Sequence, residues 1–384
     1  MNIFIDGVNT KNKGAELMLY AVLQELEKQH PDANVFLPLF GIPEGVSYLK
    51  TTMHCRQRKI SSAARLFKKM KGDAFLRRLF HIPYSYTTDK YPLKGLDLLL
   101  DAGGFQFADQ HYRSDIMITV WNNYYKALKK QGTKIFFLPQ AFGPFETENG
   151  KKQARLLDYA DCIFAREDVS YNHLVNAGID KNKILLFPDF TALVDGMFSS
   201  KFEYLKNGIA IMPNLRMIDK NAIPRNEYID TLITIINFCK TAKRTIFFLN
   251  NEAEGDFRLC EDANGKLDEK LPIVRDLTAL EIKGLISQCY FVFSSRFHGI
   301  VSALSTGVPC LATSWSHKYD MLFRDYDMEG CAFDPGNNLF FHKLEQFLNL
   351  GYNSEMRNKL NINAKGIKEK NREMWQQVWM KYKQ

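Results

Sequence analysis

The chain has 384 residues, 46% hydrophobic and 24% charged, which excludes a disordered or fibrous protein and leaves room for two domains. Its net charge of +8 is local: residues 50–80 hold ten cations against the single acid Asp73, so the rest is near neutral and a generally basic nucleic-acid binder is excluded. No apolar run is long enough to span a bilayer, and the seven scattered cysteines contain no Cys-x-x-Cys pair, so neither a disulfide framework nor a metal site is expected.

The chain opens directly on the strand-like Asn2-Ile3-Phe4-Ile5, without a basic and then apolar leader, so a cytoplasmic location is expected. Short apolar runs follow at 35–37, 96–100, 135–138, 162–164 and 184–187, with amphipathic stretches such as 15–29 between them. Runs apolar on every position suit strands buried on both faces of a parallel sheet, and the alternation predicts a doubly wound α/β domain over 1–195. Polar residues 195–207 predict a linker.

The pattern then restarts with strands at 209–212, 245–249, 273–274, 291–293 and 309–312, and helices at 227–241, 279–288 and 300–306. A second Rossmann-like domain over 196–350 is expected, with a cleft between the two. A charged helical tail over 351–384, carrying Trp375 and Trp379 four residues apart, is expected to pack back on the first domain.

In open α/β sheets ligands sit beyond the carboxyl ends of the strands, so the residues after each run carry the functional expectations. Asn9, Asn12, Gly14 and Glu16 follow the first strand, and Gly14 opens a helix whose amides could face an anion. Gly103 and Gly104 follow the third, Arg166 the fifth, and Arg216 the first strand of the second half. Taken singly, an ordinary turn is the better explanation of the first loop, while a glycine turn at Gly103-Gly104 and an ion pair of Arg166 with Glu167 or Asp168 compete evenly with function. The acidic stretch Glu252, Glu254, Asp256, Glu261 and Asp262 has no ligand-like spacing and reads as solvated surface.

The densest signal runs from Tyr290 to Lys318. A buried strand ends at Ser294-Ser295, Arg296 and His298 follow, and a small-residue helix leads to Gly307-Val308-Pro309 and the next strand, which ends near Ser314-Trp315-Ser316-His317-Lys318. Arginine, histidine, lysine and helix amides converging on one place suit a small polyanion.

With these blocks in this order, the chain resembles the polysaccharide pyruvyl transferase family. The likeness runs from Asn9 and Gly14-Ala15-Glu16 through Ala102-Gly103-Gly104, Gly143-Pro144, Ala165-Arg166-Glu167 and Pro188-Asp189 to the block 295–318. Departures are Asp101-Ala102-Gly103-Gly104 for a three-glycine run, Gly14-Ala15-Glu16 for Gly-Asp, and Ser316-His317-Lys318 for Asp-x-Lys.

The resemblance implies a glycosyltransferase-B-like fold and transfer of pyruvate from phosphoenolpyruvate, as co-substrate, onto two sugar hydroxyls as a ketal. No other cofactor is implied. His298 and Arg296 are the expected catalytic pair. Arg166, Arg216, Lys318 and Ser295 are expected at the donor, and Asn9, Asn12, Glu16, Gly103 and Gly104 at the acceptor. Free, lipid-linked and polymeric acceptors all fit.

Within 50–80, apolar residues recur at helical spacing among the cations, which predicts an amphipathic helix able to lie on an anionic membrane, or a lid whose cations are simply solvated. The competing enzyme reading is a nucleotide-sugar glycosyltransferase of the same architecture. Specific nucleic-acid binding is not expected.

Overall fold

The computed structural model describes residues 1–38, 55–57, 94–219, 223–251, 254–313, 318–333 and 338–384. Apart from a short strand at Cys55–Gln57, the basic segment 50–80 and the membrane helix expected from it lie outside the described residues. The chain divides into two compact units. The first contains Met1–Thr10, Met18–Pro188 and Glu373–Gln384, and the second contains Lys11–Leu17 and Asp189–Arg372.

The first unit is built on parallel strands in the order β3-β2-β1-β4-β6-β7-β8, with β5 added beside β6. These are β1 (Asn2–Asp6), β2 (Asn34–Leu37), β3 (Cys55–Gln57), β4 (Leu98–Asp101), β5 (Phe105–Phe107), β6 (Lys134–Phe142), β7 (Cys162–Ala165) and β8 (Ile184–Leu186). Every residue of β4 and β7 is buried, the property that made their runs apolar at each position. Helix α1 (Lys13–Gln29) follows β1.

Helix α2 (Asp115–Lys130) is capped by the Ser114 hydroxyl and buries Val120, Trp121, Tyr124, Tyr125 and Leu128 as one stripe. That stripe meets the ring cluster of Phe107, Phe137 and Phe142.

The second unit repeats the plan with six parallel strands, in the order β11-β10-β9-β12-β13-β14. Their ranges are β9 (Ile209–Met212), β10 (Ile246–Leu249), β11 (Ile273–Val274), β12 (Phe291–Ser294), β13 (Cys310–Thr313) and β14 (Ala332–Phe333). In both sheets the chain lays its second strand on one side of the first and then crosses to the other, opening a switch point between β1 and β4 and another between β9 and β12.

Strands fall where the apolar runs predicted them. Among the elements not anticipated are β3, β5, β14 and α2: the strands are only two or three residues long, and α2 mixes aromatic with polar residues. Residues 195–207, read as a linker, include the 3₁₀ segment Ser200–Leu205 with buried Leu205, and the boundary between the units falls at Pro188 and Asp189 instead.

The tail is one helix, Leu350–Lys383, of which only the part from Glu373 belongs to the first unit. There Trp375 and Trp379 stack, and Trp379 meets the His30 ring edge-on while its indole donates to Glu25 at 3.3 Å.

Gly307 turns the chain from the helix after β12 into β13 with φ of +74°, and a β-carbon there would overlap the Asn361 side chain. Both the backbone conformation and the close approach require glycine. Gly307→Ala is expected to lower stability by roughly 1–3 kcal/mol in denaturant unfolding, and Asn361→Ala is expected to recover only the steric part.

Candidate active site

The second switch point lies between the ends of β9 and β12, and the chain leaving β12 carries the strongest sequence signal. Ser295 follows the strand fully buried. Its amide donates to the Met212 carbonyl at 3.0 Å, and its own carbonyl accepts from the Asn214 amide at 2.7 Å and the Tyr319 hydroxyl at 2.8 Å. The Ser295 hydroxyl lies 2.8 Å from the Tyr228 hydroxyl and 2.6 Å from that of Thr313. Ser295 was expected to touch a donor, but its polar atoms are committed to the protein. It pins the turn.

Arg296 follows in extended conformation as the N-cap of helix α7 (Phe297–Ser305; helices α3–α6 are Asp168–Asn176, Arg225–Cys239, Glu254–Lys266 and Ala279–Ser287). Its amide donates to the Ser294 hydroxyl at 2.9 Å. Its guanidinium meets Asp256 Oδ2 through Nε at 2.7 Å and Nη2 at 2.5 Å. Asp256, on α5, is 1% exposed and also accepts from the Leu215 amide at 2.9 Å.

The reading of Asp256 as solvated surface is therefore corrected. It lies on the buried face of α5 with Leu259, Cys260 and Ala263, a helical spacing visible in the sequence. Truncating Arg296 would strand this buried carboxylate at a cost of about 3–5 kcal/mol.

His298 lies two residues further on, in the first turn of α7. Its Nε2 is 3.7 Å from Asp189 Oδ2, which is 3% exposed. Asp189 caps its own turn, accepting from the Thr191 amide at 3.0 Å and hydroxyl at 2.5 Å. The other side of the imidazole meets the backbone of Gly14, where a β-carbon would overlap Nδ1. This explains the glycine: a larger residue would displace the ring. Asp189 was legible only as part of Pro188-Asp189 and was not singled out as a site residue.

The segment that delivers Gly14 also revises an expectation. The Asn12 side-chain oxygen accepts from the Gly14 amide at 2.9 Å and the Ala15 amide at 3.2 Å, so these amides are capped by the chain itself. Glu16, expected at the acceptor, is 1% exposed and paired with Lys13 at 2.6 Å.

Lys318 opens helix α8 (Lys318–Asp325), its ammonium 5.5 Å from the centroid of the Phe297 ring. That places the lysine beside the residue preceding His298. Ser314, Trp315, Ser316 and His317 lie outside the described residues. Arg216 is exposed and paired with Asp219 at 2.6 Å rather than turned toward Arg296's turn.

In the first unit, Arg166 follows β7, buried, with Nε 4.0 Å from Glu167 Oε2. At that unit's switch point Asp6 and Asp101 are register partners. Asp101 accepts from the Gly103 amide at 3.0 Å, Gln106 Nε2 at 2.7 Å and Gln140 Nε2 at 3.0 Å. A β-carbon on Gly103 would overlap the Gln106 side chain, one on Gly7 would overlap the Gly103 backbone, and Gly104 has φ of +68°. Asn9 stands on the loop after β1. Among the described residues no cluster of three or more metal-ligating side chains occurs, and no helix is long and apolar enough to cross a membrane.

A folded protein with a displaced imidazole is the expected product of Gly14→Ala, since alanine favours the helix start while its methyl strikes His298. Thermal unfolding should be unchanged within a few degrees, while the His298 ring resonances in NMR spectra should shift; unshifted resonances would contradict the contact.

The two-sheet plan is shared with solved sugar-nucleotide enzymes. Anabaena HepE in complex with UDP is 12% identical, with a TM-score of 0.61 over 99% of each chain. The UDP-GlcNAc 2-epimerase from Neisseria meningitidis, bound to UDP-GlcNAc, is 12% identical with a TM-score of 0.59, over 99% of this chain and 100% of that one. The epimerase from Methanocaldococcus jannaschii is 13% identical with a TM-score of 0.55, over 91% and 93%.

At such identities the likeness speaks for the fold alone, which is α/β and glycosyltransferase-B-like. No curated protein matches the sequence. The profile of the polysaccharide pyruvyl transferases, however, matches residues 12–317, which takes in Gly14, Asp189, Asp256, Arg296 and His298, and the chain belongs to the polysaccharide pyruvyl transferase family.

Proposed function

We propose that the protein transfers the pyruvyl group of phosphoenolpyruvate onto two hydroxyls of a sugar, forming a cyclic ketal and releasing inorganic phosphate during synthesis of a surface polysaccharide. Family membership carries the reading. The juxtaposition of His298 with Asp189, two residues beyond the anchored Arg296 and next to Lys318's ring contact, supports it chemically.

The reaction needs three things. A proton must reach the methylene carbon, leaving the central carbon open to attack by the first hydroxyl. That hydroxyl must lose its proton on bonding. The second hydroxyl must then displace phosphate from the same carbon, its proton leaving as the phosphate departs.

A group that gives one proton and takes another back suits this sequence, and His298 is assigned that role. The Asp189 carboxylate orients Nε2 and offsets the charge of the imidazole when it is protonated. Lys318 is assigned to the departing phosphate, where a cation opposes the developing charge. Arg296, oriented by Asp256, is assigned to the donor.

A second reading, a nucleotide-sugar-dependent glycosyltransferase, is motivated by the UDP named with Anabaena HepE. The clustering of cationic side chains around the β12 end favours the smaller, more anionic donor. Contact with an anionic membrane surface through residues 50–80 remains part of the proposal, for an acceptor presented on a lipid carrier.

His298→Gln keeps the size and polarity of the side chain but cannot cycle a proton. Phosphate release from phosphoenolpyruvate that depends on added sugar should fall by roughly 100-fold or more, with the unfolding temperature unchanged. Turnover near wild type in the folded variant would remove His298 from the mechanism.

A further inference from the structure

Among the described residues Lys283, on α6, is the one lysine that is fully buried, at 1% exposure. Burying an amine is costly, and a methionine of similar length would fill the same space without that cost. Its Nζ donates to the Thr191 carbonyl at 2.8 Å. Thr191's carbonyl already accepts from the Val194 amide at 3.1 Å, so the lysine is not needed merely to satisfy it. Something else must account for the amine.

Thr191 is the residue whose amide and hydroxyl hold the Asp189 carboxylate. The turn is tied on three sides. Asn371 donates to the Asp189 carbonyl at 2.9 Å, Met197's amide donates to the Leu280 carbonyl on α6 at 2.8 Å, and the backbones of Gly196 and Gly284 abut. Helix α6 is thus a platform for residues 189–197, and α7, which carries His298, packs against both that helix and the turn.

We propose that Lys283 is a positioning residue for the His298 imidazole: by gripping the Thr191 carbonyl from beneath, its amine fixes the turn that presents the Asp189 carboxylate to Nε2. The assignment rests on the pyruvyl-transfer reading for its kinetic consequence, but its geometric core does not. Burial draws the Lys283 amine down to about 7, with Lys368 reinforcing the shift and Asp189 and Asp195 opposing it. The hydrogen bond to Thr191 is the element the proposal depends on.

The test is a double-mutant cycle between Lys283→Met and Asp189→Asn, with unfolding temperature, kcat and KM for phosphoenolpyruvate, and the His298 ring titration followed by NMR. Lys283→Met alone should lower kcat about tenfold with KM held within about twofold, and should displace the His298 titration midpoint by at least about 0.3 pH unit. In the Asp189→Asn background the same substitution should change kcat less than twofold and leave the midpoint in place, because the carboxylate it positions is gone.

Additive effects on kcat, or a midpoint shift that persists without Asp189, would overturn the proposal. So would an unchanged midpoint in folded Lys283→Met. If the methionine variant does not fold, Lys283→Gln replaces it in the same cycle with the same expectations. A wild-type protein that releases no phosphate from phosphoenolpyruvate, yet shows the coupled midpoint shift, would refute the pyruvyl-transfer reading and still support the positioning role.

Discussion

The ion pair between Arg296 and Asp256 governs the geometry around the β12 end. Asp256 is delivered by a helix that follows β10, and Arg296 by the turn that follows β12, so the pair ties the two sides of the sheet across β9. Being buried, the pair contributes less to net stability than its short distances suggest, since desolvation offsets much of the attraction. Its effect is on shape. With the guanidinium held and Ser295 bonded to Tyr228, Thr313, Asn214 and Tyr319, the start of α7 has one orientation, and His298 inherits it.

The imidazole is then fixed from both faces by small local devices. On one side a carboxylate sits on a turn that caps itself; on the other a glycine backbone approaches where no β-carbon fits. Neither device is catalytic chemistry in itself. Together they restrict where the ring points, and a proton donor acting at carbon depends on that direction more than on affinity. The bonds that immobilise the site are made almost wholly by residues that need never touch a substrate.

Much of this was readable from the residues. Apolar runs located the strands because the central ones are buried at nearly every position, and Ser295, Arg296 and His298 stood out because polar groups rarely follow such a run so densely. What escaped depends on partners distant in sequence. Asp256 sat in a run of acids whose charge pattern masked its helical spacing with Leu259 and Ala263. Lys283 looks like any polar residue of an amphipathic helix until residues 189–197 cover it. Asn12 was read beside a helix start with amides to spare, whereas its own side chain caps them. Ser295 was read as a ligand contact because it lies at a strand end, and its four partners come from the turn after β9, from α4, from the end of β13 and from α8.

On the proposed function, the cations at the β12 end serve a small donor bearing both a carboxylate and a phosphate. The most direct measurement is thermal stabilisation of the wild-type protein and Lys318→Ala by phosphoenolpyruvate, with uridine diphosphate and inorganic phosphate alongside. Phosphoenolpyruvate should give a shift that exceeds the phosphate shift, is absent with the nucleotide, and is reduced in Lys318→Ala. Stabilisation by uridine diphosphate alone would contradict the proposed function.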